Sequence, residues 1–106
     1  MPSKYHNKPT IYKGMRFDSQ GECRRYQELE LLEKAGEIKS LQRQVSFTLT
    51  VNGKKICIYK PDFVYFENGE RIVEDFKGVI TDVFKLKAKL FEAIFDTPIK
   101  ITGKRK

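Results

Sequence analysis

Two Asn-Gly pairs, Asn52-Gly53 and Asn68-Gly69, bracket an apolar-rich run near the middle of the chain. Asn-Gly is the strongest short-range hairpin signal, because a two-residue type I′ turn needs positive φ at both central positions. Two such turns in succession predict three antiparallel strands, over 45–51, 54–66 and 71–77, and they pin the pairing register. In the first strand Val45, Phe47, Leu49 and Val51 alternate with Ser46, Thr48 and Thr50, the period of a strand with one buried face. With Asn68 and Gly69 as the two loop residues, Glu67 faces Glu70. Counting back, Phe66 faces Arg71, Val64 faces Val73 and Asp62 faces Asp75.

A helix is predicted on either side of this meander. Asp18 and Ser19 are N-cap residues, Ser19 with Glu22 has the capping-box spacing, and Cys23, Tyr26, Leu29, Leu32 and Ala35 recur at helical intervals before Gly36, giving a helix over 19–35. After Gly78, Thr81 or Asp82 caps a second helix. Val83, Leu86, Leu90 and Ile94, with Phe84, Phe91 and Phe95, supply its apolar face, and Pro98 blocks its continuation. Ile99 and Ile101 suggest a short last strand. The expected fold class is α+β, a single domain over 1–106 in the order helix, three-stranded meander, helix, strand, with a basic arm at 1–13 and a basic tail at 103–106.

Charge narrows the function. The 106 residues carry 21 Lys and Arg against 14 Asp and Glu, a net charge of +7. A surface of this sign calls for an anionic partner, and nucleic acid is the first candidate. No apolar run approaches the roughly 20 residues of a membrane span. The stretch MPSKYHNKPT lacks the apolar segment of a secretory signal, so a cytoplasmic location is expected. Two cysteines, Cys23 and Cys57, and one histidine, His6, do not make a Cys/His zinc site. A metal would have to be held by oxygen ligands, which suits magnesium, manganese or calcium.

The predicted register then acquires chemical meaning. Asp62 and Asp75 become direct cross-strand neighbours, and Lys77, two residues on, shares their face. Like charges opposite one another are unfavourable in a sheet. At roughly 5 Å and an effective dielectric near 20 the repulsion is about 3 kcal/mol. A divalent cation between the carboxylates turns that penalty into attraction, and a nearby lysine steadies the attacking water or the charge developing on a phosphate.

Pro61-Asp62, a hairpin, then Asp75-Phe76-Lys77 reads as PD…DxK on adjacent strands, which resembles the PD-(D/E)XK nuclease superfamily. That resemblance implies a restriction-endonuclease-like core and Mg²⁺- or Mn²⁺-dependent hydrolysis of DNA. Asp62 and Asp75 would be metal ligands, Lys77 a catalytic residue, and Glu22 on the first helix a third ligand or the group that positions a water. The combination FDSxxExRRYxxL, a Gln before the first strand, PDF and EDxKG looks like small phage and prophage nucleases catalogued as a domain of unknown function. Related resolvases of this fold are dimers that cut branched DNA, so a homodimer acting on a structure such as a Holliday junction is the expectation. Glu74, on the opposite face from Asp75, is read as structural.

Expected DNA contacts are Arg24 and Arg25 on the first helix, Gln44 before the first strand (near the metal or on the DNA), Lys85 and Lys87 on the second helix, Lys4 and Lys8 in the arm, and Lys104 and Arg105 in the tail. The phenylalanines of the second helix are read as core. Two other readings stand beside the enzyme: a non-catalytic nucleic-acid-binding module on the same fold, and a phage protein that binds a host nuclease or replication factor. Opposed carboxylates under a basic surface favour the enzyme, since a pure binder gains nothing from them.

Overall fold

The computed structural model describes residues 8–103. A mixed α+β arrangement is built around a four-stranded sheet. The elements in chain order are β1 (Thr10–Tyr12), β2 (Met15–Phe17), α1 (Gln20–Lys34), β3 (Lys39–Arg43), β4 (Phe47–Val51), β5 (Lys54–Tyr59), β6 (Phe63–Glu67), β7 (Glu70–Phe76), α2 (Asp82–Phe95) and β8 (Ile99–Thr102). The main sheet has the order β3-β6-β7-β8, with β4-β5 and β1-β2 as separate two-stranded ribbons. β8 runs parallel to β7; a parallel neighbour needs a long crossover, which α2 supplies. No helix among the described residues is long and apolar enough to cross a membrane.

Both Asn-Gly turns form as the sequence predicts. Asn52 and Gly53 have φ of 51° and 78°, Asn68 and Gly69 of 54° and 79°, the paired positive values of a type I′ turn. The β6–β7 register runs from Glu67 opposite Glu70 through Phe66 opposite Arg71 and Val64 opposite Val73 to Phe63 opposite Glu74.

The single three-stranded meander, however, is replaced by two hairpins. The run over 54–66 breaks at Lys60–Asp62, where Pro61 has no N–H to give to a ladder. β5 stays with β4, β6 pairs with β7, and the place beside β6 is taken by β3, whose sequence KSLQR carries little strand patterning. Gln44, in a left-handed conformation with φ 52°, turns the chain out of β3 and donates its backbone N–H to the Asp62 carbonyl at 3.1 Å. Part of the expected basic arm is also ordered structure: β1 and β2 form a ribbon, and Tyr12 donates a 2.7 Å hydrogen bond to Glu30 of α1. Residues 1–7 and 104–106, with Lys4, Lys104 and Arg105, lie outside the described residues.

Alternation along β6 creates two cores. Phe63 and Tyr65 face α1, packing with Phe17, Cys23, Leu29 and Ile38. Val64, with Val73 of β7, faces the other way, toward Leu49, Tyr59, Phe84 and Phe91. The sheet is thus covered by α1 on one face and by α2 with the β4–β5 hairpin on the other. Ser19 caps α1 by accepting the Glu22 N–H at 3.1 Å, and Thr81 caps α2 by accepting that of Phe84 at 3.1 Å. The apolar face of α2 needs correcting. Phe84 and Phe91 are buried, whereas Val83 and Leu86 are 66% and 70% exposed. Phe84 and Phe91 are the buried stripe, with Ala88, Leu90, Ile94 and Phe95 partly buried against the same cluster, and Phe47 makes edge-on ring contacts with Phe91 and Phe95.

α1 is fastened to the sheet by a buried ion pair. Arg25 donates from Nε at 2.7 Å and from Nη2 at 3.1 Å to Glu74, which also accepts from the Tyr65 and Thr102 hydroxyls at 2.7 and 2.9 Å. Glu74 is fully buried, and these donors hold its pKa below the usual glutamate value against the pull of burial. Removing the arginine leaves a buried charge unpaired. Arg25→Ala should therefore cost roughly 3–5 kcal/mol of stability, read as a lower urea midpoint at unchanged slope. An unchanged midpoint would show that the pair does not anchor α1.

Candidate metal centre

The chemistry gathers at the end of β7. Strand alternation sends Asp75 to the α2 side and Glu74 to the α1 side. Asp62, one residue before β6, lies one step past the Phe63–Glu74 pair, beside Asp75. Its Oδ2 accepts the Phe76 backbone N–H at 2.9 Å. Asp75 is buried and accepts the Tyr59 hydroxyl on Oδ2. Its Oδ1 lies 3.7 Å from the Lys77 ammonium, which also sits 4.7 Å from the centre of the Phe84 ring. Sequence alternation therefore delivers Asp62, Asp75 and Lys77 to one place.

Glu22 reaches the same end of the sheet from the first turn of α1. It is buried, and its Oε2 has no hydrogen-bond partner. The Ser19 cap is satisfied by its backbone N–H, and Oε2 is left free for other work. Two features hold α1 in place there. One is the Arg25–Glu74 pair, a turn further along. The other is Phe76, whose ring is gripped between Gly21 and Gly103: a methyl group at Gly21 would come within 2.6 Å of the ring, and one at Gly103 within 2.5 Å.

Electrostatics mark the cluster as short of positive charge. The Asp62 carboxyl is pushed up to about 8, by burial first, then by the hydrogen bond and charge of Asp75 and the charge of Glu22, with the Phe76 N–H opposing. Glu22 is also raised, by burial and by Asp18, while the Arg43 guanidinium pulls the other way. Burial and Asp75 raise the Tyr59 hydroxyl, so it remains a donor. Protonation of the Asp62 carboxyl relieves the repulsion when no cation is bound.

The donor set fits a hard divalent cation: carboxylate oxygens, one of them buried and unpartnered, and no sulfur or nitrogen ligand. The described residues do not, as they stand, form a three-ligand shell around one point. Asp62 and Asp75 could hold such a cation between them, with Glu22 suited to an outer ligand or to holding a water.

The other expected contacts are dispersed. Arg24 is exposed and lines a groove of about 390 Å³ with Phe76, Lys100 and Thr102. Arg25 is committed to Glu74 and to Glu28, at 3.0 Å, and so has little left for a phosphate. The Gln44 side chain is exposed, and its backbone, rather than its amide, touches the Asp62 segment. Lys85 is solvated, 4.0 Å from Asp82. Lys87 donates at 3.2 Å to the Ile58 carbonyl, which ties α2 to β5. Lys8 is exposed.

Two residues escaped the sequence analysis. Tyr59 had a signal, since a tyrosine at an inward position of a strand needs a partner for its hydroxyl. Arg43, which stacks 4.0 Å over Phe17 and donates at 2.8 Å to the Arg16 carbonyl, had none, because β3 itself was not foreseen.

The raised Asp62 carboxyl makes metal-free stability depend on pH. Its folded pKa lies above its ordinary 3.8, so its contribution is fully present below about pH 4 and is lost as pH rises through about 8. Asp62→Asn keeps an acceptor for Phe76 and removes the charge. In EDTA, the Tm of the wild type should fall between pH 5 and pH 9 by several degrees more than that of the variant, at roughly 4–8 °C per kcal/mol for a domain of this size. Parallel Tm profiles for the two proteins would mean that the carboxylates do not repel each other.

No curated protein and no solved structure matches this chain. A family model does, over residues 2–103, nearly the whole sequence and every element that builds the carboxylate cluster. The chain belongs to the family described as "Protein of unknown function (DUF1064)".

Proposed function

We propose that this protein is a metal-dependent DNA endonuclease with an active site of the PD-(D/E)XK type on a restriction-endonuclease-like core. The observation that carries the reading is the half-buried Asp62 beside the buried Asp75, with Lys77 on the same face, 3.7 Å from Asp75 Oδ1. Two carboxylates side by side are a standing cost in stability, and a phosphodiester hydrolase is the kind of protein that would keep them. Asp62 and Asp75 would hold Mg²⁺ or Mn²⁺, and Glu22 would complete the outer ligand set. When bound, the cation supplies a nucleophilic water at neutral pH and neutralises phosphate charge.

The protein's own residues do the rest. Tyr59 pins Oδ2 of Asp75 and leaves Oδ1 turned toward Lys77. The Phe76 N–H pins Oδ2 of Asp62. Lys77, half-buried against Phe84, orients the attacking water or stabilises charge on a non-bridging phosphate oxygen. The basic composition provides sequence-independent grip on the DNA backbone. A branched DNA cut by a homodimer, in phage recombination, replication or packaging, is the substrate and setting that the resemblance favours, and that setting would be the cytoplasm of a bacterial host.

The test is cleavage of labelled four-way junction, flap and linear duplex with Mg²⁺, Mn²⁺ or EDTA. Wild type should cut at least one substrate only with metal, Asp75→Ala should cut none, and Lys77→Ala should be slower by about 10²–10³. If no protein cuts any substrate while wild type and Asp75→Ala bind DNA equally, the catalytic reading fails and a binding module becomes the better account.

A further inference from the structure

The two layers covering the sheet differ in charge. α1 carries Glu22, Glu28, Glu30 and Glu33 against Arg24, Arg25 and Lys34. On the other side, the β4–β5 hairpin and the residue after it carry Lys54, Lys55 and Lys60 and no acid, and α2 adds Lys85, Lys87 and Lys89 against Asp82 and Glu92. Lys54, Lys55 and Lys60 are exposed and have no ion-pair partner among the described residues.

The hairpin also has an unpartnered outer face. Leu49 and Tyr59 point inward, packed with Phe84 and Phe91. The alternate positions point outward: Ile56 and Ile58 are 57% and 43% exposed, and Thr48, paired with Ile58, is exposed beside them. Because Pro61 breaks the strand, this ribbon does not continue into the main sheet. Its base stays fixed to the candidate site, through the Tyr59 hydroxyl on Asp75 and the Lys87 ammonium on the Ile58 carbonyl.

We propose that the β4–β5 hairpin is a nucleic-acid-binding arm that lies along the DNA backbone leading away from the carboxylate cluster. The inference rests on the nuclease reading only in taking that enzyme's DNA as the ligand. Lys54 and Lys55 at the tip pair with phosphates, and the Thr48 hydroxyl is a further donor to them. Ile56 and Ile58 make apolar contact with sugars and base edges, as side chains on a two-stranded ribbon do in a groove. An arm with two cations at its tip, a third just past its base, no acid and exposed aliphatics between them matches a polyanion with apolar groove walls. A second copy of the same cationic arm would be repelled. Lys55 is four residues from Tyr59, roughly 13 Å along a strand, so the tip contacts fall about four base pairs from the bond to be cut at 3.4 Å per pair.

The test is binding of labelled linear duplex and four-way junction in EDTA, where nothing is cut, over about 50–200 mM salt. Wild type is compared with Lys54→Ala/Lys55→Ala and with Lys34→Ala/Lys39→Ala. The second variant loses the same charge at the far end of α1 and the start of β3, with Lys34 roughly 20 Å along the helix axis from Glu22. The arm variant should bind on the order of 10–100-fold more weakly at about 0.1 M salt, with the slope of log K against log salt reduced by about 2. The control variant should stay near wild type. Equal losses in both variants, or none in the arm variant, would overturn the proposal. So would a concentration-dependent dimer that Ile56→Glu dissociates while DNA binding is retained, since the face would then be a self-interface. The nuclease reading is judged separately by metal-dependent cleavage: an arm variant that binds like wild type beside an active wild type sinks the arm alone, and a weakened arm variant beside an inactive wild type leaves the arm standing without the nuclease.

Discussion

A buried strand that carries two acids in succession must satisfy each on a different face, because consecutive side chains point to opposite sides of a sheet. β7 is such a strand. Glu74 meets Arg25, Tyr65 and Thr102 on one side, and every one of these contacts joins a different element to β7. Asp75 meets Asp62, Tyr59 and Lys77 on the other. The first acid is compensated by a cation on the chain itself. The second is given a hydroxyl and a lysine at 3.7 Å, and beside it stands another carboxylate. Burial makes the difference matter, since an uncompensated charge is far costlier inside a protein than at its surface.

The two faces are coupled through α1. The Arg25–Glu74 pair and the grip of Gly21 on Phe76 fix the first turns of that helix, and Glu22 occupies the turn they fix. One oxygen of its carboxylate, Oε2, is buried without a partner, a placement the helix would not adopt if left to its own solvation. Stability drawn from the satisfied face is thereby used to hold charge on the unsatisfied one, a pattern seen at functional sites, where local rules are broken and compensated elsewhere.

Much of this was legible before any coordinates. The Asn-Gly pairs set the β6–β7 register, because a two-residue turn leaves no slack in the count, and the register sets Asp62 beside Asp75. Ser19 announced the start of α1, and alternation assigned Glu74 and Asp75 to opposite faces. Other features were not legible. KSLQR has no periodic signal, yet it becomes an edge strand because β6 has hydrogen-bonding groups to offer it. Val83 and Leu86 are as apolar as Phe84 and Phe91, and nothing local says which set will face Phe47. Arg25 and Arg24 look alike in sequence, but only Arg25 lies over Glu74.

The sequence by itself determined what short-range sterics and strict periodicity control: the two turns, the helix caps, the pairing of 63–67 with 70–74, and therefore the meeting of two carboxylates and a lysine. The tertiary structure decided what depends on long-range competition for partners. It split the central run into two hairpins, chose the buried stripe of α2, sent Tyr59 to Asp75 and Arg25 to Glu74, and left the outer face of the β4–β5 hairpin bare. The physical reason is that a turn is fixed by the dihedrals of its own residues, whereas the partner of a buried side chain is fixed by which of many distant groups can reach it at least cost.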